Sequence, residues 1–146
     1  MGAMFLTLQQ VDVRYPGQPK SAVQGISLKL EAGQIGVLIG PSGCGKSTLL
    51  RIISGLQHPT SGSCEIDRKS LGYVFQDPVL LPWRNVQKNV ELNAELQNTP
   101  TDQRREAAQK AIRLVNLSGQ ELKYPHQLSG GMKMRCSLAR SLVSQP

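Results

Sequence analysis

The sequence has few of the features that mark disulfide-bonded, metal-binding or membrane-spanning proteins. Its 146 residues contain three cysteines, Cys44, Cys64 and Cys136, an odd number with no C-x-x-C spacing. This pattern argues against a disulfide framework or a zinc site and indicates reduced cytoplasmic thiols. No stretch approaches the roughly 18 apolar residues that a spanning helix needs, and no repeat or low-complexity segment is present. We therefore expect a soluble chain, or one that reaches a membrane through a partner.

The chain also lacks a block of basic residues, although its net charge is +7. Residues 1–73 carry seven bases and four acids, a balance of +3, and residues 74–146 carry ten and six, a balance of +4. An even excess of this kind is typical of a solvated, mildly basic surface rather than of a nucleic-acid interface. We expect no nucleic-acid partner.

One motif is highly informative. Residues 40–47 fit the phosphate-loop pattern G-x-x-x-x-G-K-[ST] and lie between an apolar run and a helix-like run. Glycines allow backbone N–H groups to point at phosphate oxygens, and the following helix adds its positive end. Lys46 would neutralise the β- and γ-phosphates, and Ser47 would bind magnesium. The predicted nucleotide-binding residues here are Gly40, Ser42, Gly43, Cys44, Gly45, Lys46, Ser47 and Thr48.

The apolar periodicity indicates an α/β core. Two strands are expected in residues 5–15 and 22–30, and residues 34–39 read as a parallel strand covered on both faces. A helix should follow the phosphate loop, with Leu49, Ile52, Ile53 and Leu56 on one face. A short segment around residues 64–66 precedes a further strand, residues 71–75, that ends at Gln76.

The second half of the chain reads as helical. Residues 85–96 have a helical pattern, and a second helix should start with Thr99 as its cap and Pro100 at its first position. Its buried stripe is predicted to be Ala107, Ala108, Ala111, Ile112 and Val115. Residues 128–132, Leu-Ser-Gly-Gly-Met, then precede an amphipathic run with Met134, Leu138 and Leu142 at helical spacing.

Three motifs in this order resemble the ATP-binding cassette subunit of ABC transporters: the phosphate loop, Tyr-Val-Phe-Gln at residues 73–76 and Leu-Ser-Gly-Gly-Met. The resemblance covers nearly the whole chain. It implies a P-loop NTPase fold with an antiparallel β subdomain and an inserted helical subdomain. The expected divisions are residues 1–79 for the β subdomain and phosphate-loop core, 80–127 for the helical subdomain, and 128–146 for the signature and its helix.

The resemblance also implies roles for residues outside the phosphate loop. Tyr15 would stack on adenine, and Gln76 would contact magnesium and the attacking water, so that Lys46 and Gln76 are the predicted catalytic residues. The signature would bind the γ-phosphate of a second ATP-binding subunit in a head-to-tail dimer. Its predicted nucleotide-binding residues are Ser129, Gly130, Gly131 and Met132, of which Met132 stands where Gln is commoner in the family.

The stretch after Gln76 is similar to that of importers for nitrate, sulfonate and taurine. Residues 76–86, with the single tryptophan Trp83, either form a groove for a transmembrane permease or pack the helical subdomain. The resemblance therefore implies a cytoplasmic subunit that is peripheral to the inner face of the plasma membrane through a permease.

In the family, the helix after the signature leads to a strand ending in an Asp for magnesium and a Glu for the attacking water, and a switch histidine follows. The chain stops at Pro146, where that strand should begin. We therefore expect a truncated cassette that binds Mg-ATP weakly and does not hydrolyse it alone. A non-catalytic partner of an intact cassette and a non-transport ABC ATPase are the alternatives.

Overall fold

The computed structural model describes residues 4–66 and 71–146. The chain divides between Leu71 and Gly72 into two compact units. The first unit contains strands β1 (Met4–Val13) and β2 (Val23–Glu31), helix α1 (Lys46–Ile53) and strand β3 (Ser61–Ile66). The second contains α2 (Val86–Val90), α3 (Leu92–Leu96), α4 (Thr101–Leu114), a 3₁₀ helix (Pro125–Gln127) and α5 (Gly130–Leu142).

The strands of the first unit form an antiparallel sheet of order β2-β1-β3. The buried residues of β1 are two positions apart from Leu6 to Leu8 but three positions apart from Leu8 to Val11. The pairing of β1 with β2 shifts its register at the same place. Gln10 has a positive φ of 44° there, as expected for a β-bulge. The bulge keeps Val11 and Val13 buried, as Leu6 and Leu8 are.

Helix α1 completes the core of the first unit. Leu49 and Ile52 are buried, and Ile53 packs against the same cluster. The predicted face is thus confirmed for three of its four residues. Leu56 lies beyond the helix and is 57% exposed, since the helix ends at Ile53, Ser54 is its C-cap and Gly55 follows with a left-handed φ of 77°.

Two predicted strands are wrong. Residues 34–39 and 71–75 have no regular secondary structure. Ile35 and Ile39 are each 91% exposed, and Val37 is 73% exposed. A parallel strand forms only beside hydrogen-bonded neighbours, and in the described part of the chain the sheet is limited to β1, β2 and β3. Apolar composition alone was therefore insufficient to make these segments strands.

The second unit is helical, as expected. The predicted helix in residues 85–96 is interrupted only at Glu91, which separates α2 from α3 and keeps right-handed helical angles. Helix α4 begins one residue later than predicted, because Pro100 has an extended ψ of 145° and acts as the N-cap. The core of this unit consists of Val86, Val90, Ala94, Ala108, Ala111, Ile112, Val115, Leu117, Leu128, Cys136, Ala139 and Val143.

Helix α5 matches the predicted stripe of Met134, Leu138 and Leu142 only in part: Leu142 packs against the core, but small residues are the ones fully buried. Cys136, Ala139 and Val143 are buried, whereas Leu138 is 41% exposed. The small residues Cys136 and Ala139 allow α5 to lie close to α2 and α4. Because Cys136 is buried in this interface, the pKa of its thiol is raised to about 11. Among the described helices of both units, none is long and apolar enough to cross a membrane.

Candidate nucleotide-binding site

The side chain of Lys46 bonds back to the backbone of the loop that leads into α1. The Lys46 ammonium donates to the carbonyl oxygens of Gly40 at 2.8 Å and of Pro41 at 2.7 Å. Its nitrogen also lies 3.5 Å from Cys44 Sγ. The loop therefore folds around the positive charge, which lies at the first position of the helix.

Gly45 is required at its position by both conformation and space. Its φ is 94°, and an added Cβ would lie 2.3 Å from the carbonyl oxygen of Ala22 and 3.1 Å from Val23 Cγ2. The loop is thus pressed against the beginning of β2. At Gly40 an added Cβ would lie 2.7 Å from Cys44 Sγ. The contact of Gly45 with backbone explains the glycine at the sixth position of the motif, whereas the neighbour of Gly40 is a side chain that can move.

The N-terminus of α1 offers hydrogen-bond donors to an anion. Gly45 is the N-cap and provides no side-chain oxygen, and the first turn contains no acidic residue. The first N–H groups of a helix have no partner within the helix and carry the positive end of its dipole. Ser47 is exposed at this end and Thr48 is half-buried. A phosphate group fits this combination of amides, hydroxyls and one ammonium.

Tyr15 lies beside the same helix turn. Its hydroxyl donates to Gln57 Oε1 at 3.2 Å and lies 3.3 Å from Thr48 Oγ1. The hydrogen bond with Thr48, followed by that with Gln57, lowers the pKa of Tyr15. The structure therefore brings Tyr15 next to Thr48 in the first turn of α1, and its stacking on adenine stays a prediction. Gln57 was not predicted, because a single glutamine after a helix carries no motif.

A cavity of about 370 Å³ also borders the loop. Cys44, Gly45 and Lys46 line it from the loop, and β2 lines it from the other side through residues such as Val23 and Ile26. The β2 residues were not predicted to border the site, because only the folded chain brings the two segments together. Tyr15 is not among the residues that line this cavity.

The remaining predicted residues belong to the second unit. Gln76 is exposed and lies outside regular secondary structure. Ser129 is the N-cap of α5, and its Oγ accepts a hydrogen bond from the N–H of Met132 at 3.3 Å. Gly130 and Gly131 are exposed, and a Cβ added to either would meet no atom within 4 Å. Their lack of side chains thus serves no packing requirement in the described chain.

Magnesium would find few protein ligands here. In residues 4–66 and 71–146, no group of three His, Cys, Asp or Glu side chains is arranged to hold a metal ion. The exposed Ser47 hydroxyl is a hard oxygen ligand of the kind that magnesium accepts, with most other ligands coming from phosphate and water. The site fits magnesium that arrives together with a nucleotide.

Comparison with known proteins identifies the family to which this phosphate-loop sequence belongs. A family model described as ABC transporter matches residues 23–146. The chain belongs to the ABC transporter family. An uncharacterized ABC transporter ATP-binding protein of Methanocaldococcus jannaschii is 44% identical over 139 residues, which cover 90% of this chain and 52% of that protein. The taurine import ATP-binding protein TauB of Chromobacterium violaceum is 42% identical over 147 residues, covering 96% and 56% respectively.

Solved ABC structures have the same fold. The protein cbiO1 from Clostridium perfringens, part of the ABC transporter complex cbiONQ, matches with a TM-score of 0.85 and 28% identity over 99% of this chain and 63% of that one. The ATP-binding cassette MJ0796, dimeric and bound to ADP and Pi, matches with a TM-score of 0.87 and 30% identity over 97% and 71%. The predicted family and fold class are confirmed. This ABC chain spans about half the length of its curated relatives.

Proposed function

We propose that this ABC chain binds the phosphate tail of ATP at residues 40–48 and serves as an energising subunit of an importer. The observation that carries the proposal is the closure of the loop around Lys46, whose ammonium lies at the uncapped N-terminus of α1. Positive charge, free amides and two hydroxyls at one helix end form a phosphate site. The cassette MJ0796, a structural relative, has been observed with ADP and Pi.

The lysine has a defined role in this mechanism. Its ammonium now bonds two carbonyl oxygens of its own loop, and a phosphate oxygen is a stronger acceptor because it is charged. Lys46 would turn from the carbonyls to the β- and γ-phosphates while the amides of the first helical turn bind the remaining oxygens. Ser47 would hold magnesium, which neutralises phosphate charge when bound.

Tyr15 is suited to the base of the nucleotide. Its ring is 37% exposed, and its hydroxyl is held by Thr48 and Gln57. Fixing the hydroxyl restrains the ring, which leaves a face on which adenine can stack. Because Thr48 is in the first turn of α1, the base and the phosphates would bind to adjacent parts of the same unit.

The signature residues support pairing with a second cassette. Helix α5 starts with two exposed glycines, and no neighbouring atom would obstruct a Cβ at either of them. A close approach from another molecule would explain them. Ser129 accepts one hydrogen bond as the cap and keeps its O–H for donation. We propose that Ser129, Gly130 and Gly131 contact the γ-phosphate held by the partner.

An exposed apolar surface in the second unit suits a permease. Trp83 is 70% exposed, Val79 is 60% exposed and Phe75 is 39% exposed. These exposures favour the groove interpretation of residues 76–86 over packing within the helical subdomain. Docking on a permease would place the chain at the inner face of the plasma membrane. Relatives named as taurine import proteins support the importer class.

Calorimetric titration with Mg-ATP tests the nucleotide site. Lys46→Ala removes a charged contact with phosphate, so its affinity should fall about 10- to 100-fold, corresponding to about 1.5–3 kcal/mol. Lys20→Ala is a matched control, because Lys20 is an exposed lysine of the same unit outside the loop. Absence of Mg-ATP binding to the folded chain, or equal affinity in the Lys46→Ala variant, would contradict the proposal.

Phosphate release tests the expectation about turnover. The loop holds phosphates but contributes no carboxylate to activate water. We expect steady-state release by the 146-residue chain to equal that of the Lys46→Ala variant. Release well above that of the variant would show that the chain hydrolyses ATP by itself.

A further inference from the structure

Helix α5 holds the backbone that follows Gln76. The Arg140 guanidinium donates from Nη1 to the Val79 carbonyl at 2.9 Å and from Nη2 to the Pro78 carbonyl at 3.1 Å. The Arg140 carbonyl in turn accepts a hydrogen bond from Asn93 Nδ2 at 3.0 Å. The guanidinium is half-buried, and this desolvation lowers the pKa of Arg140. A planar fork on two successive carbonyls fixes direction as well as distance.

The segment that Arg140 holds is strained. Val79 has a φ of 41°, in the left-handed region that a β-branched residue rarely adopts. Its side chain is 60% exposed, so burial does not compensate for the strain. Strained backbone persists only where the surroundings hold it, and such residues are concentrated at functional sites. Arg140 donates to the carbonyls of Pro78 and of Val79 itself, so its hydrogen bonds act on the two peptide groups at this strained residue.

A second side chain fixes the adjoining turn. Asn89 is completely buried, and its side chain accepts from the Leu81 N–H at 2.8 Å and donates to the carbonyls of Leu81 at 3.1 Å and Arg84 at 2.8 Å. The Arg84 N–H closes the turn onto the Leu81 carbonyl at 3.1 Å. Trp83 lies on this turn with its side chain exposed. Helix α5 therefore contacts the backbone at Pro78 and Val79 through Arg140. Helix α2 contacts the turn that carries Trp83 through Asn89.

We propose that Arg140 is a positioning residue that ties the exposed Trp83 surface, residues 79–83, to the signature helix α5. Ser129 and Gly130 lie at one end of this helix and Arg140 near the other. A change in the position of α5 is therefore transmitted through two carbonyls to the surface that carries Trp83. This role rests on the proposed function, in which the Trp83 surface receives a permease and the signature contacts nucleotide.

Trp83 is the only tryptophan of the sequence and reports directly on this surface. Fluorescence anisotropy of the whole chain should fall in Arg140→Gln, and amide exchange in residues 77–84 should accelerate about tenfold, because the segment loses its link to α5. Arg140→Lys keeps the charge but not the fork, so it should restore part of both signals.

The matched control lies on the same helix. Arg135 donates from Nη1 to the carbonyls of Val115 at 3.1 Å and Asn116 at 2.7 Å, in a different segment. Arg135→Gln should accelerate exchange around residues 115–117 and leave Trp83 anisotropy unchanged. If each arginine contributed only to overall stability, both variants would lower the unfolding midpoint. Neither variant would then change Trp83 anisotropy selectively.

The anisotropy of Trp83 in the Arg140 and Arg135 variants decides whether the positioning role is correct. If Arg140→Gln leaves Trp83 anisotropy unchanged, or if Arg135→Gln lowers it equally, the proposal is overturned. Should Arg140→Gln fail to fold, Arg140→Lys against Arg135→Lys makes the same comparison. None of these measurements involves nucleotide or permease. A selective change at Trp83 with no ATP affinity would therefore refute the proposed function and uphold the positioning role.

Discussion

Replacing Gly45 by alanine should disrupt the phosphate loop through one misplaced methyl group. The new Cβ would lie 2.3 Å from the carbonyl oxygen of Ala22, well inside the 3.0 Å that Cβ contacts respect. The obstacle is backbone at the beginning of β2, so no side-chain rotation can relieve it. Either the loop must move away from β2, or β2 must bend. Gly45 also has a φ of 94°, which is unfavourable for alanine.

The magnitude follows from these two contributions. A left-handed φ costs alanine about 1–2 kcal/mol, partly offset by about 0.4–1 kcal/mol from the lower entropy of the unfolded chain. Overpacking against fixed backbone adds about 1–3 kcal/mol. We expect Gly45→Ala to lower the free energy of unfolding of the first unit by about 2–4 kcal/mol. Gly43 provides a matched control, because its φ is 80° and an added Cβ would meet nothing within 4 Å. Gly43→Ala should therefore cost about 1 kcal/mol or less.

Urea denaturation followed by far-UV circular dichroism measures the difference between the two variants. Amide exchange resolved by peptide then assigns the loss to β2 and α1 rather than to the second unit. Mg-ATP titration provides a second readout, and affinity should fall more in Gly45→Ala than in Gly43→Ala. Equal stability of the two variants would refute the reasoning, since the contact with Ala22 is the main structural difference between them.

Two further predictions concern the second unit and the cysteines. Asn89→Ala removes the partner of the part-buried Leu81 N–H and of the Arg84 carbonyl and empties a fully buried site, so it should lower the free energy of unfolding by about 2–4 kcal/mol. Asn93→Ala, which loses one hydrogen bond to Arg140, should cost about 1 kcal/mol, and a similar cost for both variants would contradict this prediction. Cys44 is exposed, whereas Cys136 is buried. Burial raises the pKa of the Cys136 thiol to about 11, so about one Cys136 side chain in a thousand is a thiolate at pH 8. Iodoacetamide should therefore label Cys44 readily and Cys136 only after unfolding, as peptide mass spectrometry would show; rapid labelling of Cys136 in the native chain would contradict its burial.

Local patterns predicted the elements that local interactions form. The alternation in β1 and β2 and the helical spacing after Lys46 each indicated the correct element, because neighbours in sequence supply the period. The glycines of the phosphate loop were also visible in the sequence, and Gly43 and Gly45 adopt a positive φ that few other residues tolerate.

Other features depended on contacts that no local pattern contains. Residues 34–39 have the composition of a buried strand, but a strand needs hydrogen-bonded neighbours, and the described sheet does not extend to them. On α5, spacing emphasised Leu138, whereas the close approach of α2 and α4 selected Cys136 and Ala139 for the interior. The link from Arg140 to Val79 joins residues 61 positions apart.

The sequence by itself determined the family of this protein and the place of its phosphate loop, because the residues of that loop are contiguous in the chain. It also determined most helix positions, through period and caps. Only the tertiary structure decided that Gly45 abuts β2, that Tyr15 meets Thr48 and that Arg140 donates to the Pro78 and Val79 carbonyls. Each of these contacts joins distant parts of the chain, and packing in three dimensions chooses such partners.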